Sequence, residues 1–136
     1  MAASRYCLDT GVLIDFLKGR EPGASVVEKI VKESACFVAS VTVYELLFGV
    51  ARAQREIGES ALLGVMTILP LDGRTAARAA SLHVELIRRN QDIGVKDVFI
   101  AASCLEHDLP LVTKNIKHFR RIPRLKALTP EMALSS

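Results

Sequence analysis

No stretch of this chain is long and apolar enough to cross a bilayer, although half of its 136 residues are hydrophobic and its mean hydropathy is +0.28. The longest segments free of Asp, Glu, Lys and Arg are Ser60–Leu71 and Ser34–Tyr44, twelve and eleven residues, against the roughly 20 apolar residues a spanning helix needs. A secretory leader is not expected either: Asp9 and Asp15 interrupt the only apolar run near the start, and no small-residue cleavage site follows. The expectation is a soluble, cytoplasmic protein with no membrane association. Cysteine pairing is likewise not expected. Cys7, Cys36 and Cys104 are odd in number, widely spaced and set among apolar neighbours, with no CxxC, so they read as buried free thiols. His83, His107 and His118 show no metal-ligand spacing. Repeats, low-complexity tracts and linker-like clusters are absent, so residues 1–136 are taken as one domain. Finally, acids are lacking between Asp108 and Glu131, where Lys114, Lys117, Arg120, Arg121, Arg124 and Lys126 all fall. That segment suits a polyanion or a solvated basic surface equally well.

The apolar pattern supplies the fold class. "RYCL" reads as a strand, and "DTG" turns the chain into "VLIDFLKG", where Val12, Leu13, Phe16 and Leu17 recur at helical spacing until Gly19. A helix over 25–33 leads to the strand "ACFVAS" and the helix "VTVYELLFGVARAQR", with Val43, Leu46, Leu47 and Val50 on one stripe. "GVMTILPL" is a third strand, residues 74–89 form a long helix, Asp97 opens another, and "LPLVT" is a fourth strand ahead of a basic tail. Continuous apolar strands alternating with helices predict a doubly wound α/β domain whose parallel central sheet is covered on both faces. Ligands in such folds collect beyond the carboxyl ends of the strands.

Three acids fall at that edge. Asp9 ends the first strand, Glu45 lies in the first turns after the second, and Asp97 starts the helix that precedes the fourth. Taken singly, Asp9 and Asp97 have a plain explanation as helix N-caps. Glu45 has none, because it is the only charged residue between Ser34 and Ala51 and burying it unpaired would be costly. Carboxylates that converge without a cation push one another toward protonation, and a divalent ion relieves this. An all-oxygen donor set favours a hard ion, Mg²⁺ or Mn²⁺. The chemistry such an ion supplies is activation of water and charge stabilisation in phosphodiester hydrolysis.

The segments "LDTGVLID", "SVTVYELLFGVAR", "ILPLD" and "DVFIAASCLEHDLPLVTKNIKHFRRIPRL" resemble the motifs of the PIN-domain ribonucleases, specifically the VapC-type toxins of toxin–antitoxin pairs. The similarity runs in order from Tyr6 to Leu125. It implies a PIN-like three-layer α/β/α sandwich, Mg²⁺- or Mn²⁺-dependent endoribonuclease activity on RNA, and inhibition by a cognate antitoxin protein. By motif, the acidic catalytic and metal cluster falls on Asp9, Glu45 and Asp97, with Asn115 as a fourth oxygen ligand. Two positions depart from the pattern. Gly11 stands where the family usually carries an Asn that braces the loop, and His118 stands where a further acid often precedes the Phe. Asp15, six residues beyond Asp9, is expected to point away from the site and to take a local hydrogen-bond partner.

Surplus apolar surface implies partners, since a domain of this size buries only about 68–70% of the surface its unfolded chain exposes. The resemblance assigns that surplus to a homodimer face and an antitoxin groove. Two other readings remain. A receiver-type phosphoacceptor domain would use Asp9, Asp72 and Lys114. A catalytically inactive PIN-fold RNA-binding module would be consistent with Gly11 and His118.

Overall fold

A computed structural model describes residues 4–135. Five short strands, β1 (Arg5–Leu8), β2 (Ala35–Ala39), β3 (Thr67–Leu69), β4 (Leu111–Val112) and β5 (Ala127–Leu128), form one sheet in the order β3-β2-β1-β4-β5. Every neighbouring pair is parallel. Between them run α1 (Thr10–Leu17), α2 (Gly23–Glu33), α3 (Ser40–Ala53), α4 (Glu59–Gly64), α5 (Gly73–Arg88), α6 (Val95–Glu106) and α7 (Ile116–Phe119), and α8 (Pro130–Leu134) follows β5.

Successive side chains of a strand point to opposite faces, so a run that is apolar throughout must be covered twice. In β1, Cys7 enters a cluster with Ala79, Leu82 and Leu86 of α5 and Ala101 and Cys104 of α6. Its neighbour Leu8 enters the opposite cluster with Val12 and Leu13 of α1 and Val26, Val27 and Ile30 of α2. Leu111 and Val112 of β4 divide in the same way. The expected three-layer parallel α/β architecture is what the chain adopts.

Several boundaries differ. α2 begins at Gly23 and β3 spans only Thr67–Leu69, because Val65 and Met66 close the turn after α4. α6 starts at Val95, with Gly94 at its cap at a positive φ (89°) that suits glycine, so Asp97 lies inside the first turn and caps nothing. The expected stripe on α3 is only partly internal: Leu46 is buried, while Leu47 is 44% exposed beside Tyr44 and Phe48. The region taken as a basic tail is structured. Phe119, Ile122 and Leu125 are buried in the α5/α6 cluster, and β5 adds an edge strand to β4. These pieces, like α4, are too short for a readable period.

The three cysteines are buried free thiols, as expected. Burial pushes the Cys36 thiol up to about 11, so it stays protonated at neutral pH. Among the described residues no helix is long and apolar enough to cross a membrane.

Candidate active site

The chain runs outward from β1 through β2 to β3 and then returns to the other side of β1 with β4, so strand order reverses between β1 and β4. Beyond that crevice lies the place where this class of sheet binds ligands. Asp9 and Thr113, the residues immediately after β1 and β4, meet there.

Asp9 has extended backbone (φ −74°, ψ 157°), and its Oδ1 accepts from the Thr10 amide at 2.8 Å. Its Oδ2 accepts from the Thr113 hydroxyl at 2.7 Å, and that hydroxyl in turn accepts from the Asn115 amide at 2.9 Å. Bracing of the Asp9 loop therefore comes from Thr113 across the sheet, and Gly11 contributes no side chain to it. Sequence reasoning passed over Thr113, whose only signal was its place directly after a strand. Burial pushes the Asp9 carboxyl above the usual carboxylate range; the Thr113 and Thr10 hydrogen bonds oppose this, while the Asp97 and Glu45 charges add to it.

Glu45 lies in the second turn of α3. Its Oε1 accepts from the Thr10 hydroxyl at 2.9 Å and its Oε2 from Lys96 Nζ at 2.9 Å. The Thr10 hydroxyl has one proton, so with the Thr42 hydroxyl at 3.0 Å it donates to Glu45 and accepts from Thr42. Asp97 Oδ2 is 2.9 Å from His118 Nδ1 and 3.4 Å from Asn115 Nδ2, and these two nitrogens are 2.8 Å apart. His118 Nδ1 holds at most one proton, so it either donates to Asp97 or accepts from Asn115. Asn115 turns its amide nitrogen, not its carbonyl oxygen, toward Asp97.

Asp9, Thr10, Gly11, Glu45, Lys96, Asp97, Lys114 and Asn115 line one open cleft of about 420 Å³. The acids picked from the sequence thus share a site, but the expectation of carboxylates without cations is corrected. Lys96 sits on Glu45, and its ammonium is held more firmly protonated by the hydrogen bond to that carboxylate. Lys96 precedes Asp97 directly in the chain, and the first turn of α6 carries both to the same cleft. Asp15 is also corrected in part. It is buried, 3% exposed, and lies outside the cleft lining. Its partner is not local: Lys114, ninety-nine positions away, reaches its Oδ2 at 2.9 Å. The receiver reading loses its second acid, because Asp72 spends its carboxylate capping α5 through the Thr75 amide at 2.9 Å.

An all-oxygen set in which the Glu45 and Asp97 charges help hold the buried Asp9 carboxyl above its ordinary range has the chemistry of a hard divalent-ion site. The set is not closed: among the described residues no three His, Cys, Asp or Glu side chains form a ready-made metal cage. Glu45 is drawn toward Thr10 and Lys96, and Asp97 toward His118. Their side chains are 23% and 22% exposed, so neither carboxylate is sealed from the cleft.

Comparison with known proteins agrees with this fold. The PIN domain family model matches residues 6–125. A ribonuclease VapC from Rickettsia bellii is 31% identical over 100 residues, covering 68% of this chain and 75% of the relative. Ribonuclease VapC2 from Rickettsia felis is 26% identical over 126 residues, covering 88% and 93%. Among solved structures, VapBC2 from Rickettsia felis bound to a DNA fragment from its promoter superposes with a TM-score of 0.78 at 25% identity, covering 92% of this chain and 98% of the other. The chain belongs to the PIN-domain family and, within it, to the VapC ribonucleases of toxin–antitoxin systems.

Proposed function

We infer that this chain, acting as a single domain in the cytoplasm, is the toxin of a toxin–antitoxin pair and hydrolyses RNA phosphodiester bonds at the Asp9/Glu45/Asp97 cleft with Mg²⁺ or Mn²⁺. The observation that carries the reading is the placement of three acids from three separate elements around one cleft at the sheet's switch point. Asp9, Glu45 and Asp97 would hold the ion, with Asn115 a ligand only if its amide turns its oxygen inward. When bound, the ion supplies charge neutralisation for the phosphoryl oxygens and a nucleophilic water. Asp9, locked by Thr10 and Thr113, is the fixed member of the set. Thr10 orients Glu45, and His118 orients Asp97. Incubating the protein with RNA and Mn²⁺, with and without chelator, should give cleavage that chelation abolishes. Acid-labile phosphorylation by acetyl phosphate would point to a receiver domain, and binding without cleavage to an inactive module.

Lys117, Arg120 and Lys126 are exposed around α7 and β5, whereas Arg121 is tied to the Asp92 carbonyl at 3.0 Å. We assign the exposed cations to RNA phosphates. Replacing Lys117 and Arg120 by Ala should make the log–log salt dependence of RNA binding shallower by about 1.4, from two contacts at about 0.7 each. An unchanged slope would leave these residues as solvated surface.

A cognate antitoxin fits an apolar groove of about 380 Å³ lined by Phe16, Leu17, Val31, Ile57, Leu62 and Val65. A second groove of about 340 Å³ shares Leu17 and Ile57 with the first and extends to Glu45. A partner helix lying along this track ends at the acids, where a basic side chain would substitute for the ion's charge. Tyr44, Leu47 and Phe48 are 61%, 44% and 49% exposed on α3, and we assign them to partner contacts, including a homodimer face.

A further inference from the structure

Lys114 stands out because, of the cations in the basic segment from Lys114 to Lys126, it is the one that lines the acidic cleft. It follows Thr113 at the end of β4, lines the acidic cleft, and sends its ammonium to a carboxylate that is not part of the cleft. That carboxylate, Asp15, has a side chain only 4% exposed, whereas Lys114 is 50% exposed. Removing a carboxylate from water is costly unless it is paired, and a tie between α1 and the β4 loop could have been made with apolar groups. The lysine stem passes beside Gly11, where a Cβ would lie 3.8 Å from Lys114 Cδ, an ordinary van der Waals contact. A Cβ on Gly23 would lie 2.5 Å from Asp15 Cβ, so α2 can close over Asp15 only because residue 23 is glycine.

We propose that Lys114 is a phosphate-binding residue of the cleft, donating to a non-bridging oxygen of a bound single-stranded RNA, and that buried Asp15 is the residue that positions it. An ammonium has three N–H groups, and the one directed to Asp15 leaves others for a phosphate on the exposed side. A lysine anchored by a buried partner loses less rotamer freedom on binding than one swinging in water. It also offsets the repulsion that three acids exert on an approaching polyanion. Lys96, the other cation of the lining, is 61% exposed and already paired to Glu45, an acid of the site itself. The proposal rests on RNA being the ligand of this cleft, and its test separates binding from cleavage.

The experiment measures affinity for a single-stranded RNA oligomer by fluorescence anisotropy across a salt series with chelator present, and separately the kcat and KM of RNA cleavage with Mn²⁺. Lys114→Met alone strands a buried carboxylate and can unfold the protein. The informative variant is therefore Lys114→Met/Asp15→Asn, which removes one charge of each sign and leaves the net charge unchanged. Its affinity should fall roughly tenfold, the loss of one charge-assisted hydrogen bond, and its salt slope should be shallower by about 0.7. Lys114→Arg should restore most of both. Asp15→Asn alone adds a net positive charge, and charge alone would make it bind RNA more tightly. Positioning predicts the reverse: no gain in affinity and a lower kcat.

A double variant with wild-type affinity and slope overturns the proposal whether or not RNA is cut. So does an Asp15→Asn protein that binds more tightly and cleaves as fast as wild type. If the wild-type protein binds RNA but never cuts it while the slopes shift as stated, the nuclease reading falls and the assignment of Lys114 stands. Failure to bind RNA at all sinks both.

Discussion

Asp9→Asn is expected to abolish RNA cleavage, with a loss on the order of 10²–10³-fold or more, and yet to raise the thermal stability of the metal-free protein at neutral pH. The activity loss follows from removing the charge of the fixed acid at the switch point. The stability gain follows from linkage. Burial and the neighbouring acids hold the folded Asp9 carboxyl above its ordinary value of 3.8, so the folded state keeps a proton that the unfolded chain releases. Folding therefore loses stability as pH rises from 3.8 through the raised folded value, and above that value the loss is complete. Asn at position 9 does not titrate and still offers an oxygen to the Thr10 amide. The melting temperature of the variant should exceed that of wild type near pH 7, and the two should converge below pH 3.8. Saturating Mn²⁺ should reverse the order. Wild type would gain about 2.7 kcal/mol at a hundredfold excess over the dissociation constant, and the variant little. Melting curves at several pH values, with and without Mn²⁺, check each part; equal melting temperatures throughout would mean that Asp9 is only a helix cap.

Phe119→Ala should lower stability by about 3–5 kcal/mol, the range for truncating a fully enclosed aromatic. Phe119 is 0% exposed and packs with Ile122, Leu125 and Leu111 in the α5/α6 cluster. It is also the anchor of α7, the single turn that carries His118 and follows directly on Asn115. Denaturation by urea should show a lower midpoint with an unchanged slope. Cleavage measured well below the transition should fall as well, because His118 and Asn115 lose their hold on Asp97. Ile68→Ala, at a side chain 47% exposed on β3, should change stability by less than about 0.5 kcal/mol. Comparable losses in the two variants would contradict the enclosure of Phe119.

The pattern of apolar residues was enough to define the parallel α/β class, since strands apolar on both sides have to be covered on both faces. It also determined which acids stand at strand ends. Asp9 and Glu45 follow strands closely, and Asp97 lies in the first turn of a helix that returns toward the sheet, so their shared edge follows from chain direction alone. The burial of the three cysteines was legible in the same way, from apolar neighbours.

The tertiary structure alone decided how the acids are partnered. Local periodicity carries no information on strand order, and it is the placing of β4 beside β1 that brings Thr113 onto Asp9 and Lys114 onto Asp15. The turn of α7 sets His118 against Asp97, and the start of α6 at Val95 sets Lys96 against Glu45. The β5 strand and the helices α4, α7 and α8 were equally hidden, because two to six residues are too few for a period. Such short elements form only where a sheet edge or a core surface already exists to receive them. A sequence pattern can state which side chains leave water; which charged groups then meet is fixed by packing across distances that the pattern does not encode.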